Sequence, residues 1–319
     1  MTHITSHISE AAEWLNRGEV VAIPTETVYG LAANALNEKA VAKIFEAKNR
    51  PFFDPLIVHV ASIDDARKYV EDIPEPLLQL LNKFSPGALT VLLKKKNEIP
   101  DIVTSGLDTV GIRIPSHPKA LALLSQLSFP LCAPSANPFG YVSPTNAQHV
   151  YDQLNGKIPC ILDGGNCSVG VESTIVGLQE GRVTVFRFGG ISLEQIEAEI
   201  GAVNILLHQN SNPKAPGMLD SHYAPRKPLF VGNIPDLFSK HSNEKNGLIS
   251  FSEPYSDLPF TERKILSPTN DLREAAANLF AALRYFDNTD VTSILVEKFP
   301  EIGLGRAIND RLNRAATRS

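Results

Sequence analysis

The sequence predicts an α/β protein of the α+β type, a twisted mixed sheet with flanking helices, followed by a smaller C-terminal α/β unit. Three observations predict it. The first two hundred or so residues alternate strand-like and helix-like segments, which calls for a sheet with helices packed on it. Strands outnumber helices there, and several neighbours are joined by short turns, which favours a mixed sheet over a regular doubly wound one. Then the stretch HQNSNPKAPGMLDSHYAPRKP (208–228), rich in Pro, Asn, Ser and Gly and without apolar period, reads as a linker. The 319 residues are about twice a typical domain. The expected division is 1–207, a linker at 208–228, and 229–319.

In chain order, VVAI (20–23) is a short apolar strand stopped by Pro24, and Asn37 opens a helix bearing Ala40, Val41, Ile44 and Phe45 at helical spacing. PLIVHV (55–60) is a strand, and Ser62 with Asp65 forms a capping-box-like pair. LTVLL and VGIRIP are strands, KALALLSQL is a helix, and PLCAPSA is strand then turn. Thr145 is the expected cap of a helix to about Leu154. CILDGG, STIVGL and RVTVFRF are strands, and SLEQIEAEI is a helix. Past the linker, PLFVG, GLISF and TSILVE are strands. Asp271 and Glu274 form a candidate capping box for a helix with Leu272, Ala275, Ala276, Leu279, Leu283 and Phe286 on one face. Leu304 to Arg314 is a further helix.

At 43% hydrophobic and 20% charged, the chain can build ordinary cores. No apolar run approaches the roughly 20 residues that span a bilayer, and the start MTHITSHISE has neither basic nor apolar signal regions, so a soluble, cytoplasmic protein without membrane contact is expected. The net charge of −5 argues against a broad nucleic-acid surface, though not against a local cationic cleft. Cys132, Cys160 and Cys167 contain no CxxC pair, so neither a disulfide scaffold nor a zinc ribbon is suggested. Walker, GxGxxG, HExxH and GxSxG motifs are absent.

Chemistry-bearing residues gather instead at segment ends. Pro24 to Gly30 places two hydroxyls, a carboxylate and a phenol in seven residues, either a capped turn or a site for a zwitterion. Lys48 and Arg50, at a helix end, either complement its C-terminal dipole or clamp a phosphate. His59 is a strand histidine among apolar residues. Arg113 points to the opposite face from Ile112 and Ile114, and if covered it needs an anion. Ser135, Asn137 and Ser143 offer donors in a small-residue loop. Ser173 begins a strand, and Arg187 ends one before Gly189 and Gly190. Together they suggest an anion-binding pocket of nucleotide type.

PTETVYGLAANA, KNRPFFDPLIVHV, SPGALTVLL, VGIRIPSHP, APSANPFGYVSPT, VGVESTIVG and FRFGG, in this order, resemble the successive signatures of the YrdC-like threonylcarbamoyl-AMP synthase family. PGMLDSHYAP and the α/β tail resemble its long, two-domain branch. The resemblance implies a cationic cavity in the mixed sheet, a Rossmann-like C-terminal domain, and synthesis of L-threonylcarbamoyl-AMP from L-threonine, bicarbonate and ATP. The product would serve adenosine 37 of tRNAs reading codons that begin with A, through a downstream tRNA threonylcarbamoyl transferase, with direct tRNA contact left open. Carried over by motif, Thr27, His59, Arg113, Ala133 and Ser173 would line the threonine pocket. Lys48, Arg50, Asp54, Thr109, Ser135, Asn137, Ser143, Arg187 and Tyr223 would meet ATP, with Lys48, Arg50 and Arg187 stabilising charge and Tyr223 covering the nucleotide from a lid-like linker. Mg²⁺ would arrive with the ATP phosphates and no protein cage for it is visible.

Two departures stand out. Asp54 occupies a position where relatives often carry Asn, and its charge would repel phosphate unless it turns away, pairs with Lys48 or Arg50, or holds Mg²⁺. Pro86-Gly87-Ala88 replaces a common Pro-Gly-Pro. Of the rival readings, an RNA-binding module of this fold sits poorly with the acidic net charge. A carbamoyltransferase of the hydrogenase-maturation kind would need many more cysteines. A non-catalytic relative would not be expected to keep both KNR and SAN.

Overall fold

The computed structural model describes residues 1–207 and 223–316. The N-terminal unit runs β1 (His3–Thr5), α1 (Ile8–Asn16), β2 (Val21–Ile23), β3 (Gly30–Asn34), α2 (Glu38–Lys48), β4 (Ile57–His59), α3 (Ile63–Ala66), α4 (Glu75–Phe84), β5 (Leu89–Lys94), α5 (Asp101–Thr104), β6 (Thr109–Arg113), α6 (Pro118–Gln126), β7 (Leu131–Cys132), α7 (Ala147–Leu154), β8 (Cys160–Leu162), β9 (Thr174–Gln179), β10 (Arg182–Arg187), α8 (Leu193–Ile200) and β11 (Asn204–Ile205). The C-terminal unit runs β12 (Leu229–Gly232), α9 (Ile234–Lys240), β13 (Asn246–Ser250), β14 (Glu262–Ile265), α10 (Leu272–Phe286), β15 (Ser293–Glu297) and α11 (Gly305–Ala316).

The first sheet is mixed, in the order β1-β8-β2-β3-β7-β4-β6-β5-β9-β10-β11. Its centre is nearly continuous apolar sequence, with Leu31, Val58, Val91, Ile112 and Val176 all buried, as strands covered on both faces require. Pairing register sets up the site. On β6, Arg113 stands opposite His59 of parallel β4 and opposite Thr90 of antiparallel β5, so three polar side chains share one row at the strand ends. The second sheet, β12-β15-β13-β14, is wholly parallel, with α10 packing Leu279, Phe280 and Leu283 into its core.

Local signals explain most of these elements. Asn37 caps α2, accepting from the Lys39 and Ala40 amides, and Asn49 ends it in the left-handed conformation at φ +50°. Ser192 and Gln195 form a full capping box on α8. Two expectations need correction. The cap of α7 is Asn146, whose Oδ1 accepts the His149 amide at 2.9 Å, while Thr145 contacts the His149 ring instead. Asp271 caps α10 alone, because the Glu274 carboxylate turns to the hydroxyls of Ser267 and Thr269. The sequence reading also passes over α4, although Leu77, Leu80 and Leu81 recur at helical spacing behind a proline in the first turn. Of the expected linker only 223–228 falls within the described residues. Among the described residues no helix is long and apolar enough to cross a membrane.

The two units share an apolar cluster. Val28, Val142, Val171 and Tyr223 pack with the α10 core, and Phe188 lies against it. Gly170 is the point of closest approach. Its φ is +76°, and a Cβ there would lie 2.3 Å from the Ala277 Cα and 2.5 Å from the Ala276 carbonyl oxygen. A side chain at 170 therefore meets both backbone strain and helix backbone that cannot move aside. Gly170→Ala is expected to lower unfolding free energy by more than about 1 kcal/mol. Denaturant unfolding checks this, and a wild-type midpoint would contradict the contact.

Candidate active site

A small hollow opens where the row on β4, β6 and β5 meets the loops after β2 and β7 and the start of β9. Of the residues expected at the site, Arg50, Asp54, His59, Arg113, Ala133, Ser135, Ser173, Arg187 and Tyr223 line it. Among the described residues, Arg50, Arg113 and Arg187 face it together with two carboxylates, Asp54 and Glu172.

Each guanidinium is held by its surroundings. Arg113 donates through Nη2 to Glu26 Oε1 at 2.6 Å and through Nε to the Gly87 carbonyl, leaving Nη1 without a hydrogen-bond partner among the described residues. Glu26 in turn accepts the Ser116 amide at 3.0 Å. Burial pushes the Glu26 carboxyl up, but Arg113 and that amide outweigh it and hold it below its ordinary value. Arg50 donates to the Asp54 and Pro55 carbonyls and pairs with Asp54 Oδ2 at 2.8 Å. Asp54 thus turns its charge onto Arg50, one of the arrangements expected of it. Arg187 follows a bulge at the end of β10 and grips Ser173 through the carbonyl (3.0 and 2.9 Å) and the hydroxyl (3.1 Å). Burial draws its pKa down to about 10. The Ser173 hydroxyl also meets Thr90 Oγ1 at 2.7 Å. Gly189 permits this crowding, since a Cβ there would sit 2.3 Å from the Glu172 carbonyl oxygen.

Four expected residues stand behind the wall. Thr27 is fully buried, its hydroxyl 2.8 Å from that of Thr25, which itself lines the cavity. Lys48 is buried at the end of α2, its Nζ donating to the Ser135 carbonyl at 2.6 Å and to the Asn137 carbonyl. Burial, with Arg50 adding and Asp54 opposing, pushes its ammonium well below the ordinary range. Asn137 donates to the Pro138 and Tyr141 carbonyls, and its Oδ1 is a buried acceptor with no hydrogen-bond partner among the described residues. Ser143 donates to Glu172 Oε1 at 2.7 Å. Lys48, Asn137 and Ser143 therefore shape the loop that presents Ser135. Thr109 lies apart, opposite Lys94 and four residues before Arg113, roughly 13 Å away along the same strand.

Sequence reasoning places Glu26 and Glu172 inside motifs but gives neither a partner. It gives no role to Arg311 of α11, which is fully buried and donates from Nε to Glu172 Oε2 at 2.9 Å. No local signal marks Arg311, whose partner is 139 residues away in the chain.

Fold and site together define an α/β protein with an arginine-lined hollow. A family model described as "Telomere recombination" matches residues 13–189, and one described as "Threonylcarbamoyl-AMP synthase, C-terminal domain" matches residues 191–317. The chain is 43% identical to the threonylcarbamoyl-AMP synthase of Bacillus subtilis, over 97% of this chain and 92% of that protein. With that of Pyrococcus abyssi it is also 43% identical, over 96% and 93%. The crystal structure of P. abyssi Sua5 complexed with L-threonine aligns with a TM-score of 0.91 and 42% identity, over 97% of this chain and 94% of that one. The chain belongs to the threonylcarbamoyl-AMP synthase family.

His59 yields a prediction about pH. Burial, with Arg113 beside it, pushes its imidazole from 6.5 down to about 3. Below pH 6.5 the unfolded chain binds a proton here that the folded chain refuses, so stability present above 6.5 falls as pH drops, by about 1.4 kcal/mol per unit. His149, held near 4 by burial, acts in the same direction. His59→Gln should lose less stability than wild type between pH 6.5 and 4.5 in denaturant titrations. Equal losses would contradict a neutral, buried His59.

Proposed function

We propose that this chain makes L-threonylcarbamoyl-AMP from L-threonine, bicarbonate and ATP, releasing pyrophosphate and water, and so supplies threonylcarbamoylation of adenosine 37 in tRNAs reading codons that begin with A. A downstream tRNA threonylcarbamoyl transferase would receive the product. The observation that carries this reading is the cavity, in which Arg50, Arg113 and Arg187 surround a hollow that also presents the hydroxyls of Thr25, Ser135 and Ser173 and the small side chain of Ala133. The close likeness to a Sua5 structure holding L-threonine supports the amino acid as one occupant.

In this reading Nη1 of Arg113 takes the threonine carboxylate, while Ala133 leaves room for the backbone of the amino acid, and Ser173 and Thr25, the latter backed by Thr27, supply hydroxyls. Neutral His59 adds no competing positive charge. Arg50 and Arg187 meet the triphosphate, and Ser135 meets it from the loop that Lys48 holds. Tyr223, 2% exposed, closes the nucleotide end. The threonine amine attacks CO₂ or bicarbonate, and the carbamate oxygen then attacks the α-phosphorus as pyrophosphate leaves. No side-chain nucleophile takes part. The arginines work by positioning and by stabilising charge that grows on phosphate oxygens.

Mg²⁺ would supply charge neutralisation on the phosphates. The lining carboxylates offer it no cage, because Asp54 is paired with Arg50 and Glu172 with Arg311. The ion thus fits as a companion of ATP. The division into 1–207, a linker and lid at 208–228, and 229–319 belongs to the same proposal.

Labelled threonine, bicarbonate and ATP should yield one adenylate carrying all three parts, read by mass spectrometry. A product lacking the carbonate carbon would refute the reading. Arg113→Ala should lower threonine-dependent pyrophosphate release at least about 30-fold, the lower end of 2–5 kcal/mol for a lost buried charge partner. Near-normal release would overturn the threonine assignment.

A further inference from the structure

Two buried arginines of the C-terminal unit reach the cavity wall from behind. Arg284 on α10 donates from Nε to the Ser143 carbonyl at 3.3 Å and from Nη2 to the Val142 carbonyl, with its guanidinium carbon 5.1 Å from the centre of the Tyr141 ring. Arg311 on α11 holds Glu172 through Nε, and its guanidinium carbon lies 5.4 Å from the centre of the Tyr223 ring. Ser143 closes the figure by donating its hydroxyl to the other oxygen of Glu172. Both oxygens of Glu172 are therefore engaged, one from each unit. Asp310 steadies the arrangement from α11, accepting Arg311 Nη1 at 2.7 Å and Arg314 Nε at 3.0 Å.

Glu172 and Tyr223 both line the cavity beside Arg187. A buried carboxylate there, if left without its cation, would oppose a polyanion in the same hollow and weaken the hold of Arg187 on it. We propose that Arg311 is a positioning residue for the nucleotide end of the cavity, cancelling the charge of Glu172 and seating Tyr223, so that the C-terminal unit completes a binding site whose lining belongs to the N-terminal unit and the Tyr223 segment. This rests on the synthase reading, which assigns that end to ATP. Arg311 touches neither substrate in this scheme. Its effect runs through Glu172 and Tyr223, and it should therefore fall on the nucleotide and spare the amino acid.

The test uses the full-length chain with Arg311→Met, Glu172→Gln, and both together. ATP binding is read by calorimetry without threonine, KM for each substrate by pyrophosphate release, and folding by thermal denaturation. Arg311→Met should weaken ATP binding by about tenfold or more while the threonine KM stays within about twofold. Adding Glu172→Gln removes the stranded charge and should restore ATP binding to within about threefold of wild type. A merely structural clamp would weaken both substrates together, and would not be rescued by neutralising Glu172. Either result overturns the proposal, as does an Arg311→Met chain that binds ATP like wild type. Should the single variant fail to fold, the double variant decides, since a loss of about tenfold or more in it overturns the charge argument. A wild-type chain that binds no ATP sinks the synthase reading and this inference with it. A wild-type chain that binds ATP beside an unaffected Arg311→Met sinks the inference alone.

Discussion

Burying several guanidinium groups around one small hollow is the constraint that shapes this molecule. A buried cation must be held by acceptors, yet a site for anions must keep part of its charge available. At Arg113 the fold meets both demands at once. Arg113 spends Nη2 on Glu26 and Nε on a carbonyl, and keeps Nη1. Arg50 is tied to Asp54 and two carbonyls, and Arg187 to Ser173. The carboxylates in these pairs locate the arginines, and among the described residues three guanidinium groups and two carboxylates line the hollow.

The same demand extends across the boundary between the units. Glu172 belongs to the wall of the N-terminal cavity but takes its cation from α11, and the loop around Ser143 is held by Arg284 from α10. The apolar cluster that joins Val142 and Val171 to α10 provides the dry surroundings in which these polar contacts are strong. Gly170 allows the backbones to come close enough for both. The C-terminal sheet thus contributes to the cavity through two helices without lining it by any residue of those helices.

Most strands and the main helices were legible from local pattern, because apolar period and capping residues act within one turn or one strand. Asn37 and Ser192 are such cases. Thr145 and Glu274 misled because several polar side chains near a helix start compete for the same amides, and their tertiary neighbours decided the outcome. At the site, Arg50, Arg113 and Arg187 were readable as cations at segment ends. That Lys48 spends its ammonium on two carbonyls of the loop at 135–137 was not, since nothing near residue 48 announces those carbonyls.

The sequence alone determined the mixed sheet, the α/β tail, and the set of cationic and hydroxylic residues from which an anion site could be built. These depend on interactions between residues close in the chain, or on motif order. Only the tertiary structure decided which of those residues face the hollow, that Thr109 stands away from it, and that Arg311 supplies the counter-charge for Glu172. Such pairings join residues more than a hundred positions apart, and they are chosen by strand register and helix packing, which put a buried charge beside the one partner able to offset its desolvation.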